Sequence, residues 1–269
     1  MSYQDYVGRT ETRTDTVAPH LLHGLAATLG LATPERLPPL WHWMLFQDWV
    51  PQGQLGPDGH PKRGGFLPPV HDLPRRMWAG GRLRFLAPLH AGDAVRRTST
   101  ILSVNEKQGG SGRLVFVTVG HVIEGPGGTA IEEQHDIVYR GAEGAATKPT
   151  APAPPAPAGA LRGMVHPDSV LLFRYSALTG NGHRIHYDLD YVRGVEGYPG
   201  LVVHGPLQAT WLAGLLAGRD VASFGFRGLR PAFHGSALAT EAWPDSGTWR
   251  LRTLDADGCA CMSAEATLA

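Results

Sequence analysis

The 269-residue sequence has few cysteines, no surplus of charge and no long apolar run. Its 24 Lys+Arg balance its 24 Asp+Glu, so the formal net charge is zero, which argues against a nucleic-acid or anionic-membrane binder that works by bulk electrostatics. No apolar run reaches the roughly 18 residues that would span a bilayer. The N-terminus shows no basic segment followed by an apolar stretch, so we expect no secretory signal.

The chain contains only two cysteines, Cys259 and Cys261. On a strand, side chains two residues apart share one face, and that spacing suits a disulfide poorly. We therefore expect two reduced thiols in the core of a cytoplasmic protein rather than a redox site.

Glycine and proline are abundant, at 35 and 22 residues, which favours a turn-rich, sheet-rich protein. The segment 145–159 reads AATKPTAPAPPAPAG and is typical of a semi-rigid, extended linker. The sequence thus predicts an N-terminal unit over 1–144, a Pro/Ala-rich linker over 145–162 and a C-terminal unit over 163–269.

The two units carry a faint repeat with an offset of 143 residues. Arg84–Val95 and Arg227–Leu238 share five of twelve positions. Turn-forming residues separate the strand-like segments that follow each copy. These segments are Val95–Val104, Leu114–Ile123 and Glu132–Arg140 in the first unit, and Ser236–Trp243, Thr248–Leu254 and Cys259–Thr267 in the second. Each unit is predicted to end in an antiparallel meander.

A helix precedes the second meander, since leucines recur at helical spacing between Leu207 and Leu216. It is apolar nearly all round, which predicts burial. A buried helix wrapped by a curved antiparallel sheet is the hot-dog arrangement, so the predicted fold is α+β, a double hot-dog. In the first unit we predict helices over His20–Leu29 and Leu73–Trp78 and a strand over Leu40–Trp49. Pro51–Pro69 is predicted to be a long loop, and loops of that length are usually functional or mobile.

Polar groups gather in Phe173–Asp188, which reads FRYSALTGNGHRIHYD. We predict a short helix followed by an irregular loop that presents Asn181, His183, Arg184 and His186. Further along, His204-Gly205-Pro206 opens the buried helix. We place Gly205 at the N-cap and Pro206 at the first helical position. The free N–H groups of a helix N-terminus form a site for an anion, such as an enolate oxygen, although an ordinary Gly-Pro helix start is an equal alternative.

These two strings together resemble the hydratase-2, or MaoC-like, acyl-CoA dehydratases. That family has roughly Tyr-x-x-Leu-Ser/Thr-Gly-Asp-x-Asn-Pro-x-His, followed by a His-Gly start to the hot-dog helix. The string FRYSALTGNGHRIHYD, taken together with the N-terminal segments LPRRMWAGGRL and EEQHDIVYR, is more specifically similar to the double hot-dog branch of this family. That branch includes mesaconyl-C4-CoA hydratases, itaconyl-CoA hydratases and mitochondrial hydroxyacyl-thioester dehydratases. In that branch the N-terminal half lacks the catalytic motif and makes room for the acyl chain.

The resemblance implies residue roles. His186 matches the catalytic histidine, and Gly205 matches the glycine whose N–H contributes to an oxyanion hole. Asn181 stands where the wider family has its catalytic aspartate, and it can hold a water but cannot exchange its proton. His183 and Arg184 stand where the family has Asn-Pro. The implied activity is reversible hydration of a 2-enoyl-CoA to a 3-hydroxyacyl-CoA, with no cofactor beyond the coenzyme A thioester.

In the expected mechanism, His186 takes a proton from a water oriented by Asn181 and returns one to the adjacent carbon, while Gly205 helps hold the thioester oxygen. Arg184 pairs either with a carboxylate of a dicarboxylic acyl chain or with Asp188 or Asp190. The remaining candidates for substrate binding each have a packing or surface alternative. These are His183, Tyr187, His204, Arg227 and Arg230, the two arginines toward coenzyme A phosphates.

Other interpretations stay open. The preferred substrate is a short dicarboxylic enoyl-CoA of mesaconyl-C4 or itaconyl type, and the alternative is an (R)-3-hydroxyacyl thioester of fatty-acid metabolism. A thioesterase or a non-catalytic acyl-CoA binder would use the same fold. Three imidazoles, of His183, His186 and His204, resemble a zinc set, but no supporting motif is present and we predict no metal. The chain is expected to bind neither nucleic acid nor membrane, and both a monomer and a homodimer are compatible with it.

Overall fold

Ten antiparallel strands form one continuous sheet in this computed structural model, which describes residues 2–109, 112–141 and 151–269. The strands are β1 (Thr10–Thr16), β2 (Arg75–Phe85), β3 (Ala94–Gly109), β4 (Gly112–Gly125), β5 (Gly128–Arg140), β6 (Leu161–Val165), β7 (Val221–Gly228), β8 (Leu238–Asp245), β9 (Thr248–Leu254) and β10 (Ala260–Leu268). Their order across the sheet is β1-β3-β4-β5-β2-β7-β10-β9-β8-β6. Each half contributes five neighbouring strands, and the halves join where β2 pairs with β7.

The described residues also form four α-helices: α1 (Pro19–Leu29), α2 (Ser169–Thr179), α3 (Leu189–Gly194) and α4 (Gly205–Gly214). Helix α4 is buried as predicted, with Leu207, Ala209 and Leu212 fully enclosed and strands β7 to β10 packed around it. No helix in the described part of the chain is long and apolar enough to cross a membrane.

The internal repeat is confirmed by equivalent positions in the two halves. Strands β2 and β7 lie side by side at the centre of the sheet, and each leads through a glycine with positive φ, Gly92 at 92° or Gly235 at 80°, toward the next strand. Isolated bridges join Arg36 to His90 and Val202 to Phe233. His90 and Phe233 are again 143 residues apart, which repeats the offset seen in the sequence.

Both predicted meanders, the helix over His20–Leu29 and the long loop are confirmed, but two predictions in the first half are wrong. Leu73–Trp78 is not a helix: β2 begins at Arg75, because Arg75–Trp78 pair with β5 and the strand goes on to pair with β7 from Gly80. Leu40–Trp49 is not a strand: Trp41–Met44 form a 3-10 helix in which Trp41, His42 and Met44 are buried. This short turn and the long loop precede β2, whereas α4 precedes β7.

The Pro/Ala-rich segment is held against the second half where the structure describes it; residues 145–150 lie outside the described part. The Ala153 N–H donates to the Gly258 carbonyl over 2.9 Å, and Arg252 Nη2 donates to the Pro154 carbonyl over 2.6 Å. Strand β6 begins at Leu161, just inside the linker boundary expected from sequence. Nearby, Cys259 and Cys261 are buried in the core, as predicted, and no disulfide joins them.

Candidate active site

The loop that follows α2 owes its shape to a glycine and an asparagine. Helix α2 ends at Gly180, whose φ of 61° lies in the left-handed region that favours glycine. The Asn181 N–H then donates to the Ser176 carbonyl over 2.9 Å, and Asn181 Oδ1 accepts from the His183 N–H over 3.0 Å. A 3-10 turn over Arg184–His186 follows. This local geometry brings His183 and His186 together, as the sequence predicts.

His186 is buried and has a defined tautomer. Its Nδ1 lies 2.7 Å from the carbonyl oxygen of Val202. Because a carbonyl only accepts, Nδ1 carries the hydrogen and Nε2 keeps a lone pair. Burial lowers the pKa of His186 to about 4. At neutral pH the residue is therefore a neutral imidazole with one nitrogen free to accept a proton.

The ring of His204 stacks on one face of the His186 ring. The two ring centroids are 3.6 Å apart at an interplanar angle of 17°. His204 is fully enclosed, its Nε2 lies 2.9 Å from Ser176 Oγ, and burial holds its pKa well below the usual range. Nearly parallel, stacked rings hold their in-plane lone pairs in two separate planes, one above the other. The imidazoles of His186 and His204 therefore do not converge on one ion, which removes the geometry of the three-histidine zinc set.

Helix α4 begins beside these rings with an accessible N-terminus. His204 is the N-cap and Gly205 the first helical residue, one position earlier than the sequence indicated. The N–H groups of a first helical turn have no partner within the helix, and the helix dipole adds partial positive charge there. A Cβ added to Gly205 would meet only Met262 Cε, at 3.8 Å. The backbone of Gly205 is thus open to a close acceptor such as a thioester oxygen.

The long loop of the first half contributes two residues that the sequence did not single out, Asp58 and His60. His60 Nδ1 donates to Asp58 Oδ2 over 3.0 Å, and the His60 ring lies 4.2 Å from that of His183. The Arg184 N–H donates to the Asp58 carbonyl over 2.9 Å. Between them, the backbone of Gly59 approaches Gly182 so closely that a Cβ would collide with the Gly182 carbonyl. The predicted loop over Pro51–Pro69 was the only signal that could have led to this pair.

Asp58, His60 and His183 form the one cluster of possible metal-ligating atoms in the described residues, within 4.8 Å of one another. All three groups have pKa values shifted from their ordinary range. Burial lowers the pKa of His60, and the positive charge of Arg76 and Arg63 lowers it further. Burial and then His60 lower the pKa of His183 to about 2. Burial alone would raise the pKa of Asp58, but His60 outweighs it and keeps the carboxylate ionised.

Arg184 and Tyr187 are engaged within the protein. Arg184 Nε and Nη2 donate to Asp188 Oδ2 over 2.9 and 2.7 Å, and Nη1 donates to the Pro57 carbonyl over 3.0 Å. This is the ion pair that the sequence offered as the alternative to a substrate carboxylate. The Tyr187 hydroxyl donates to the Gly182 carbonyl over 2.9 Å. Both side chains brace the contact between the two loops.

Arg227 and Arg230, which the sequence offered as contacts for coenzyme A phosphates, differ in their exposure and in their partners. Arg227 is exposed on β7, on the face opposite Phe224 and Phe226, whose rings are buried. Arg230 is partly buried, and its Nη1 lies 3.3 Å from Asp255 Oδ2.

A second polar cluster lies in the first half, where the sequence indicated only tryptophans. Glu133 is buried, and its two oxygens are bound by His42 Nε2 at 3.1 Å and Trp43 Nε1 at 3.0 Å. The Trp43 ring packs edge-on against Trp78 and Phe226. The hydrogen bond from His42 lowers the pKa of Glu133 to about 2 although burial alone would raise it. This cluster anchors the 3-10 turn to the sheet.

Comparison with known proteins gives consistent results. Residues 40–234 match the family described as hydroxyacyl-thioester dehydratase type 2. The chain is 44% identical over 271 residues to a mesaconyl-C(4)-CoA hydratase of Chloroflexus aurantiacus, covering 98% of this chain and 96% of that protein. A MaoC-like dehydratase from Phytophthora capsici superposes with a TM-score of 0.72 at 17% identity, covering 100% of this chain and 98% of that one. A Mycobacterium tuberculosis protein described as a double hotdog fold gives 0.59 at 15% identity, covering 99% and 98%.

Proposed function

The chain belongs to the hydroxyacyl-thioester dehydratase type 2 family, and from this we propose that it adds water reversibly to a 2-enoyl-CoA to give a 3-hydroxyacyl-CoA. The observation that carries the proposal is the neutral His186, fixed by the Val202 carbonyl, beside the open N-terminus of α4. A base and an oxyanion site next to each other are what conjugate addition of water to a thioester needs.

The proposed reaction begins with the thioester oxygen at the N–H of Gly205. Hydrogen bonding there draws electrons out of the carbon–carbon double bond, and water attacks the β-carbon. His186 Nε2 holds this water through its lone pair, assisted by the side-chain amide of Asn181. His186 Nε2 takes a proton from the water as the oxygen bonds to the β-carbon, the helix N-terminus stabilises the enolate, and His186 returns the proton to the α-carbon to complete the addition. The reaction is redox-neutral and needs no cofactor besides the thioester itself.

The proposed substrate is a short dicarboxylic enoyl-CoA of mesaconyl-C4 or itaconyl type. The name and 44% identity of the Chloroflexus relative support this choice. Arg184 does not add to that support, because Asp188 already binds its guanidinium. The alternative substrate is an (R)-3-hydroxyacyl thioester of fatty-acid metabolism, which the family description favours.

The test is loss of enoyl absorbance with purified protein and a panel of crotonyl-CoA, a long-chain enoyl-CoA, mesaconyl-C4-CoA and itaconyl-CoA. We expect turnover that falls about 100-fold or more in His186→Ala, as for loss of a general base. His20→Ala, which changes an exposed histidine on α1, is the matched control. Unchanged activity in His186→Ala refutes the assignment, and release of free thiol instead of absorbance loss identifies a thioesterase.

A further inference from the structure

We propose that Arg76 binds the free carboxylate of a dicarboxylic acyl chain and so determines which enoyl-CoA the active site accepts. The inference rests on the proposed function, because it names the residue that recognises the substrate class given there. Arg76 lies on β2 in the first half, whereas His186 and Gly205 lie in the second. One half of the chain thus binds the far end of the acyl group, and the other half hydrates it.

The register of the sheet places Arg76 on an inner face. Arg76 pairs with Tyr139 of β5, which is buried. Trp78, two residues further along β2, pairs with Ile137, which is also buried. Side chains two residues apart on a strand share a face. Arg76, which is half-buried, therefore lies on the same inner face of β2 as the Trp78 ring.

Arg76 also lies next to the loop that reaches the active site. Arg63 of that loop lies over the ring of Tyr139, with Cζ 5.2 Å from the centroid, and Arg76 hydrogen-bonds the hydroxyl of the same tyrosine. Three residues before Arg63, the ring of His60 lies 4.2 Å from that of His183. Burial lowers the pKa of His60 most, and the positive charge of Arg76 lowers it next. The guanidinium of Arg76 is thus within electrostatic reach of the histidines of the site.

The N–H groups of Arg76 are available for a ligand, unlike those of three other arginines on β2 and on the two loops of the site. These are Arg63, which donates to the carbonyls of Val70, Leu73 and Pro74, Arg75, which pairs with Glu196, and Arg184, which pairs with Asp188. Within the described ranges no carboxylate forms an ion pair with Arg76, and its polar contact is the neutral hydroxyl of Tyr139. A guanidinium has five N–H donors, so Arg76 keeps enough of them for a bidentate contact with a carboxylate.

The charges around Arg76 favour an anion as that ligand. The carboxylates that act on the neighbouring Arg63 are those of Asp58 and Asp72. Asp58 is bound by His60 over 3.0 Å, and Asp72 forms an ion pair with a third arginine. Because burial lowers the pKa of His60, its imidazole carries no charge at neutral pH. A substrate carboxylate would therefore be the counter-ion of Arg76.

The ring of Trp78 supplies an apolar surface beside this cation. It stacks on His135 with centroids 3.9 Å apart, and it packs edge-on against Trp43 and Phe226. Phe226 lies on β7, which pairs with β2 where the halves join. Aromatic rings and one guanidinium on the same face are the groups that a short apolar chain ending in a carboxylate needs.

The test compares mesaconyl-C4-CoA with crotonyl-CoA, which differ only by a carboxylate on the β-carbon. Arg76→Met removes the charge and keeps most of the length of the side chain. We expect kcat/KM to fall about 100-fold or more for mesaconyl-C4-CoA and to stay within threefold for crotonyl-CoA. Arg76→Lys keeps the charge without the bidentate geometry, so a loss of about tenfold is expected for mesaconyl-C4-CoA alone. Arg84→Met, which changes an exposed arginine on the same strand, is the control.

A second measurement needs no turnover. Succinyl-CoA has a carboxylate where butyryl-CoA has a methyl group, and neither has the double bond that is hydrated. In calorimetric titration the wild type is expected to bind succinyl-CoA at least tenfold more tightly, and Arg76→Met is expected to lose this preference. If the wild type hydrates no enoyl-CoA, the proposed function fails, and the titration still tests Arg76.

Three outcomes overturn the inference. The first is an Arg76→Met variant that stays within threefold of the wild type on mesaconyl-C4-CoA. The second is a loss of equal size on both enoyl thioesters, which a structural role or a contact with the coenzyme A part would give. The third is equal affinity of the wild type for succinyl-CoA and butyryl-CoA. If His186→Ala abolishes hydration while Arg76→Met leaves both substrates unaffected, the proposed function stands and this inference alone fails.

Discussion

Mild acid is expected to destabilise the protein through His186, by an amount that its pKa sets. The folded-state pKa is about 4, below the ordinary value of 6.5. As pH falls below 6.5 the unfolded chain binds a proton that the folded chain excludes, so stability present above that pH is lost on the way down to 4. The linkage relation gives a loss of about 2 kcal/mol between pH 7 and pH 5, and about 3 kcal/mol once pH 4 is reached.

Urea unfolding at pH 7 and pH 5 measures this loss. His186→Asn is the informative variant, because an amide nitrogen can still donate to the Val202 carbonyl while the titrating group is gone. We expect the wild type to lose about 2 kcal/mol more than His186→Asn between the two pH values. The other histidines are present in both proteins, so their contributions to the loss of unfolding free energy cancel when the two losses are subtracted. His20→Asn should behave like the wild type. Equal losses in the wild type and His186→Asn would refute the reasoning.

Two further predictions concern the contacts that hold the site in place. Ser176→Ala removes the partner of the His204 ring and leaves a buried nitrogen unsatisfied, so the free energy of unfolding should fall by about 1–3 kcal/mol in denaturant titration; an unchanged midpoint contradicts this. Gly59→Ala, at φ 88° and against the Gly182 carbonyl, should separate the two loops and lower kcat/KM at least tenfold. Gly53→Ala, in the same loop with open space around it, should match the wild type, and similar activity in both variants contradicts the loop contact.

The sequence predicted the fold best where local patterns repeat. Both meanders were found because turn residues separate segments of strand-forming residues, and α4 was found because its leucines keep helical spacing. The strand β2 was mistaken because Arg75–Phe85 carries two adjacent glycines and little alternation. Its structure comes from neighbours on both sides, β5 and β7, which lie about 50 and 140 residues away along the chain. Such pairing leaves no local signal.

The candidate site divides in the same way. His183, His186 and Gly205 were identified because they sit within one recognisable stretch and the helix start that follows it. Asp58 and His60 were not identified, because they lie on a loop of the first half and reach His183, which follows them by more than 120 residues in the chain. Likewise, sequence alone left Arg184 between two partners, and only the position of Asp188 one helical turn away showed which one it binds.

The central pairing of β2 with β7 has a consequence for how this enzyme can change. In an assembly of identical subunits, every substitution appears in each copy, so a residue that helps one site must also be tolerated at the symmetry-related position. Here the two related halves are joined in one chain and vary independently. The first half can exchange a helix for a short turn and send a loop bearing Asp58 across the junction, while the second keeps α4 intact. Because both halves belong to one chain, the first half can carry residues that contact the site in the second half without the same residues having to appear in both.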